Sequence, residues 1–357
     1  MIHAEQVFHH GRFHTLDPER PSAQAVAVYG GKIAAVGSDE EITSLIGPAT
    51  KVVDLEQQTV VPGFHDAHCH ILLFGLSLVE ANARTAMTIP EIVRIVAHHA
   101  QRVEAGRWIR GGGYNENKLA ERRHPNRADL DPATPGSPLF LSHISGHMAI
   151  ANSRALALAG INRETPDPEG GVIERDLEGE PTGLLKETAQ DLVKNVLPPY
   201  TLAETKAALA AAGRQMAAEG ITSAQDAWAG WIAPEEFRAY QEAVVEGSLP
   251  QRVRLMVDVE RLTVRDGRFD FAFGLHTSFG NDRLRLGAVK LFLDGSLIGR
   301  TAALSAPYAN VPETCGFLVK SEATIREQVA MAHQGGWQVA LHAIGDRAIE
   351  IGLDAIE

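Results

Sequence analysis

From residue 201 onward, short apolar runs alternate with amphipathic stretches of helical length. "TLAETKAALAAAGRQMAAEG" predicts a helix capped by Thr201 and Glu204, and "ITSAQDA" a strand after it. "PEEFRAYQEAVVEG" and "RVRLMVDVE" repeat the pair, and "LRLGAVKLFLDGS" is a further strand. "SEATIREQVAMAHQGG", "WQVALHA" and "GDRAIEIGLDAIE" then read helix, strand, helix. Near-continuous apolar strands separated by such helices belong to a parallel sheet covered on both faces.

Adding "VVPGFHDA" upstream, the pattern predicts barrel-type strands over 60–67, 221–226, 253–259, 288–293 and 338–342. The expected fold class is α/β: a TIM-like (β/α)8 barrel, here incomplete with about five strands, because a closed barrel needs eight. The barrel region is expected over 60–357. Within it, a subdomain inserted after the first strand is expected over about 75–195. "TIPEIVRIVAHHAQRVEAG" predicts a helix with Thr88 and Glu91 as capping box and Gly106 as stop, and from there to about 195 the chain is rich in Gly, Pro, Asp and Asn with weak periodicity. "SPLFLSHIS" is its clearest strand, and "GGGYNENK" (111–118) reads as a loop. In the first 59 residues, "AVAVYGGKIAAVGS" is a Gly-Gly hairpin, and Ser38 with Glu41 predicts a capping box on a short helix. That portion reads as a small β-layer.

Composition narrows the function classes. A formal charge of −12 argues against a nucleic-acid surface. Two cysteines, Cys69 and Cys315, do not make a disulfide framework, and no apolar leader or membrane-length run is visible, so the expected location is cytoplasmic. Of the 15 histidines, His9, His10, His98 and His99 read as solvated surface positions.

Candidate chemistry gathers at strand ends. In a strand, residues two apart share a face, so His68 and His70 converge, with Asp66 on the same side and Cys69 on the other. Two imidazoles so placed suit zinc and its neighbours; satisfied core histidines are the plainer alternative. Lys290 interrupts the apolar "GAVKLFLDGS". It either points outward, or belongs to a site as a base of lowered pKa or a modified ligand. His342 ends the next apolar strand, where polar residues of barrels read as catalytic.

In combination, "VVPGFHDAHCH", "VKLFLDGSLIGRTAAL" and "VALHAIGDRAIE" resemble the amidohydrolase superfamily, and its YtcJ-like (amidohydrolase 3) branch in particular. The resemblance extends to "SGHMAIANSRAL" and "GGVIERDLEGEPTGLLKETA" in the insertion. It implies that residues 1–59 are the N-terminal part of a β-sandwich. It also implies a metal site of His68, His70, Lys290 and His342, with two divalent ions, zinc for choice, bridged by carboxylated Lys290. The implied activity is hydrolysis of non-peptide C–N bonds in a small amide or N-acyl substrate. Tyr114, His147, Asp294 and Arg300 are weaker substrate-binding candidates, with His143 and Asn152 as possible neighbours of the pocket; loop capping is the alternative for Asp294 and Arg300. The family's sixth-strand histidine and eighth-strand aspartate, the usual catalytic base, are expected beyond Glu357, so the catalytic residue is unknown. A catalytically incompetent fragment or a binding protein on the same fold is the competing expectation. Cyclic-amide, deaminase or esterase chemistry is a third, and self-association into a homo-oligomer is also expected.

Overall fold

The computed structural model describes residues 3–270, 274–297 and 299–357. Two compact units divide the chain, Met1–His65 and Asp66–Glu357. In the first, strands Lys32–Gly37, Ala25–Tyr29, Gln6–His9 and Lys51–Asp54 lie side by side in that order. The hairpin turns where the sequence places it, with Gly30 and Gly31 at φ 58° and 70°, a region open to glycine at no steric cost. Helix Asp39–Thr43 carries the full capping box of Ser38 and Glu41. Val7, Ala25, Ala27 and Ile42 close a small core.

The second unit is organised by a five-stranded sheet whose spatial order repeats the chain order. Its strands are Phe64–Cys69, Ile221–Ala229, Arg252–Asp258, Leu284–Phe292 and Val339–His342. The last four pair in parallel. Such serial parallel order with intervening helices is barrel-type winding, and the five strands make an incomplete TIM-like barrel. The first strand begins later than the pattern predicts. Thr59–Val60 pairs instead with Arg12–His14 in a separate three-stranded sheet, and the barrel strand starts at Phe64, after the Pro62-Gly63 break.

Helices Ile71–Val79, Leu202–Ala218 and Glu236–Val245 cover the first strands through Leu72, Leu76, Leu209, Met216 and Tyr240. Helices Glu322–Gln334 and Asp346–Ile356 cover the last two through Ile325, Val329 and Ile351. The Thr201–Glu204 box forms as predicted. At Thr88 only half of one forms. Thr88 accepts from Glu91 N–H, but the Glu91 carboxylate accepts from Met87 N–H at 2.7 Å.

The insertion builds a six-stranded mixed sheet in the order Gly171–Arg175, Pro181–Glu187, Met148–Ala151, Leu139–His143, Ile109–Tyr114, Ala81–Asn82. This corrects the expected loop at 111–118. Residues up to Tyr114 are an inner strand, paired in parallel on both sides. The glycines are there for close approach, since a Cβ on Gly111 would overlap the carbonyl of Ala81.

Candidate metal centre

The first barrel strand ends at Cys69, and His70 caps the helix that follows. The rings of His68 and His70 stand edge to face with centroids 5.8 Å apart. Cys69, between them, turns the other way: it packs into the core beneath the sheet, and its thiol lies 3.5 Å from the Gln225 carbonyl. Burial, with Asp66 and Asp226 nearby, pushes that thiol up to about 12, so it is no ready ligand.

Asp226, on the second strand, fixes this corner. Its carboxylate accepts from the N–H of Ile71 at 2.9 Å, from Trp228 N–H at 3.1 Å and from the buried Tyr240 hydroxyl. An anion on the first turn of helix Ile71–Val79 is also favoured by the helix dipole. The aspartate is therefore spent on holding the strand-to-helix turn that aims His70.

His70 Nδ1 is buried and has no hydrogen-bond partner. Burial holds its imidazole below the usual range; Asp226 opposes this, while His68 and Lys290 reinforce it. That the fourth-strand lysine acts on His70 places the two in one neighbourhood. Lys290 is 3% exposed, so the outward-pointing alternative does not hold. Among the described residues it makes no hydrogen bond or ion pair; its Nζ sits 5.1 Å from the centre of the Phe292 ring. Burial alone lowers its pKa. A buried imidazole nitrogen without a partner, and a lysine with so little exposure and no ion pair, are each costly to keep in a folded chain.

Phe292 links Lys290 to the fifth strand. It is the register partner of His342, and the two rings lie 4.7 Å apart. His342 Nε2 meets the Gly295 carbonyl at 2.9 Å. The carbonyl can only accept, so Nε2 carries the proton and Nδ1 keeps its lone pair, as ligating histidines usually do. On the other side, Trp228 lies 4.5 Å from Phe292 and stacks on Trp231 at 4.0 Å. This aromatic shelf escaped the sequence reading because the pairing shifts between Asp226 and Ala229, and such a shift re-aims a side chain that alternation would place elsewhere. Both indole N–H groups are buried without a partner, donors available to something bound above them.

The weaker candidates fall elsewhere. The Asp294 carboxylate accepts from the N–H groups of Ala303, Ile344 and Gly345 at 2.9, 3.0 and 2.8 Å. It is a clamp between the loops after the fourth and fifth strands, which is the loop-capping alternative. Arg300 is exposed in that loop at φ 56°. His147 pairs with Glu187 at 3.0 Å, and its Nε2 would lie 3.1 Å from a Cβ on Gly299, so the insertion reaches the loop after the Lys290 strand. Tyr114 is wholly buried, its hydroxyl 3.2 Å from His124 Nδ1. His143 takes Ser145 Oγ at 2.7 Å on Nδ1, and its Nε2 lies 2.7 Å from Glu116 Oε2, out of line for a hydrogen bond but close enough for charge attraction.

The residues therefore suit divalent ions. Two imidazoles and an unpaired lysine converge on one neighbourhood, with a third imidazole of fixed tautomer one ring away. Among the described residues, His68 and His70 belong to no group of three His, Cys, Asp or Glu whose ligand atoms all lie within 4.8 Å of one another.

Comparison with known proteins places the chain among relatives. YtcJ of Bacillus subtilis (strain 168) is 34% identical over 354 residues, covering 98% of this chain and 65% of the relative. The N-substituted formamide deformylase of Arthrobacter pascens is 32% identical over 351 residues, 96% of this chain and 64% of that protein. The chain thus spans just under two thirds of the length of these curated relatives. The crystal structure of an uncharacterized metal-dependent hydrolase from Pyrococcus horikoshii OT3 superposes with TM-score 0.78 at 28% identity, over 98% of this chain and 67% of that one. The model of the Amidohydrolase family matches residues 51–357, a span that holds all five barrel strands and the insertion, and on that match the chain belongs to the amidohydrolase family.

Proposed function

We propose that the protein is a metal-dependent hydrolase of non-peptide C–N bonds, acting on amide or N-acyl substrates. The observation that carries this reading is Lys290: an amine buried at the mouth of a parallel sheet, with no protein partner, in the electrostatic neighbourhood of the His68–His70 pair. A neutral amine can take up carbon dioxide, forming an N–C bond and releasing one proton, and the resulting carbamate offers two anionic oxygens. Lys290 so modified, with His68, His70 and His342, would hold a pair of divalent ions, zinc for choice. Such a pair supplies an activated water and polarises a carbonyl.

The chain's own groups do the rest. Asp226 holds the turn that aims His70, and Gly295 fixes the tautomer of His342. The Trp228–Trp231–Phe292 shelf excludes water on one side and offers indole N–H donors to a substrate oxygen. N-substituted formamides are a sensible first panel, because a relative is named for deformylating them.

The test is hydrolysis of that panel by metal-loaded protein, beside Lys290→Met. Turnover that depends on metal and is lost in the variant supports the reading. A folded, metal-loaded protein that turns over no N-acyl substrate contradicts it and favours a binding role.

A further inference from the structure

The histidines at the start of the chain are not merely solvated surface. His9 is half-buried, and its Nδ1 is inaccessible to solvent and lacks a hydrogen-bond partner. Its register partner on the neighbouring parallel strand is Asp54, so the two side chains leave the sheet on the same face. His10 should point away, one residue on. It adopts φ 53° instead, the left-handed region that a residue with a Cβ rarely enters. With that turn its ring folds back to 4.3 Å from the His9 ring, and its Nδ1 comes 3.0 Å from Asp54 Oδ2.

Backbone bonds from Leu55 N–H to the His9 carbonyl and from Gln57 N–H to that of His10 hold this arrangement, with His10 N–H donating to Asp39 at 2.8 Å. One ligand atom from each of His9, His10 and Asp54 then lies within 4.8 Å of the others, the only such cluster among the described residues. Ligands about 2.0–2.1 Å from a tetrahedral ion stand about 3.4 Å apart, so the cluster is near the needed size.

We propose that His9, His10 and Asp54 form a second divalent-cation site, distinct from the hydrolase centre, for an imidazole-seeking ion such as zinc, nickel or cobalt. The ion gives the orphaned His9 nitrogen its partner and ties strand Gln6–His9 to strand Lys51–Asp54 through side chains as well as backbone. Two imidazoles and one carboxylate are a ligand set these ions share, whereas magnesium and calcium prefer all-oxygen sites. Only three protein ligands converge, so the fourth position falls to water.

The test is equilibrium dialysis of the full chain against cobalt(II), read by metal content and by the visible absorption of a low-symmetry site. All samples carry Lys290→Met, so whatever the proposed hydrolase centre still binds is common to all of them and only the difference between samples reports the second site. The parent should bind one cobalt more than His10→Asn, a variant chosen because asparagine tolerates positive φ. Asp54→Asn, at an exposed position, should weaken binding at least tenfold and guards against misfolding of the first variant. Saturating cobalt should raise the Tm of the parent and leave that of His10→Asn unchanged. Equal cobalt content and equal spectra in parent and both variants would overturn the proposal.

Discussion

Asn152 and Lys290 are both buried polar residues, and they teach opposite lessons. Asn152, in the insertion, is 1% exposed and uses its whole side chain. Its amide donates to Thr134 Oγ1 and the Ser137 carbonyl, both at 2.8 Å, and its oxygen accepts from the N–H groups of Leu139 and Ala155, both at 2.9 Å. It caps helix Ser153–Leu158 and leaves nothing for a ligand. Lys290 is 3% exposed, and among the described residues its amine makes no hydrogen bond or ion pair, only the contact with the Phe292 ring. A satisfied buried group is architecture, whereas an unsatisfied one stands at a cost that something bound must offset. The same contrast separates Asp226 and Asp294, which clamp backbone, from His70 and the paired indoles, which wait.

The largest effect should come from removing the unsatisfied group. Lys290→Met is expected to cost more than a hundredfold in metal-dependent turnover, since even changes to groups behind metal ligands cost about 10- to 100-fold. In the metal-free protein it should leave the Tm unchanged or raise it, because an apolar side chain of similar size replaces an unpaired amine. A metal-free Lys290→Met protein that melts much earlier would break the comparison, by showing that the lysine is architectural.

Asn152→Ala should do the reverse. Loss of the cap and of partners for buried Leu139 N–H and Thr134 should destabilise by about 3 kcal/mol in urea unfolding, with no specific loss of metal. Metal loss without destabilisation would assign that residue to the site after all.

Glu236 tests the middle ground. Its carboxyl is 1% exposed and accepts from Ile232 N–H at 3.0 Å, yet Oε1 has no partner. Burial pushes its pKa up to about 7. Between its unfolded value of 4.5 and about 7, the folded chain holds the extra proton, so stability falls as pH rises through that window. The loss should approach about 3 to 4 kcal/mol, since each tenfold change in proton affinity is worth roughly 1.4 kcal/mol. Glu236→Gln should flatten the dependence of ΔG on pH from about 4.5 to about 7.5; an unchanged slope would contradict the assignment.

The smallest effect belongs to an exposed cap. Thr201→Ala should cost about 1 kcal/mol by removing the box on helix Leu202–Ala218, measured by the same unfolding curves.

The sequence carries the barrel plainly because helices with clear start signals, as at Thr201 and Ser321, alternate with strand-length apolar runs such as that of Leu284–Phe292. Lys290 stood out for the same reason, as a charge in a run with no room for one. The insertion was less legible. Its strands are short, two of them pair across long connections, and the glycines of Ile109–Tyr114 look like a loop until Ala81 is seen against them. The aromatic shelf and the His9–His10–Asp54 cluster were hidden by local backbone departures, a register shift in one case and a positive φ in the other. Alternation cannot report either.

The central claim is a metal centre built on Lys290, and metal content tests it most directly. Elemental analysis of the zinc-equilibrated chain, in a His10→Asn background that removes the proposed surface ion, should find two ions per chain. Adding Lys290→Met should abolish or halve that content while the fold, followed by circular dichroism, is kept. A zinc content that is negligible from the start, or that does not change when Lys290 is replaced, would contradict the account.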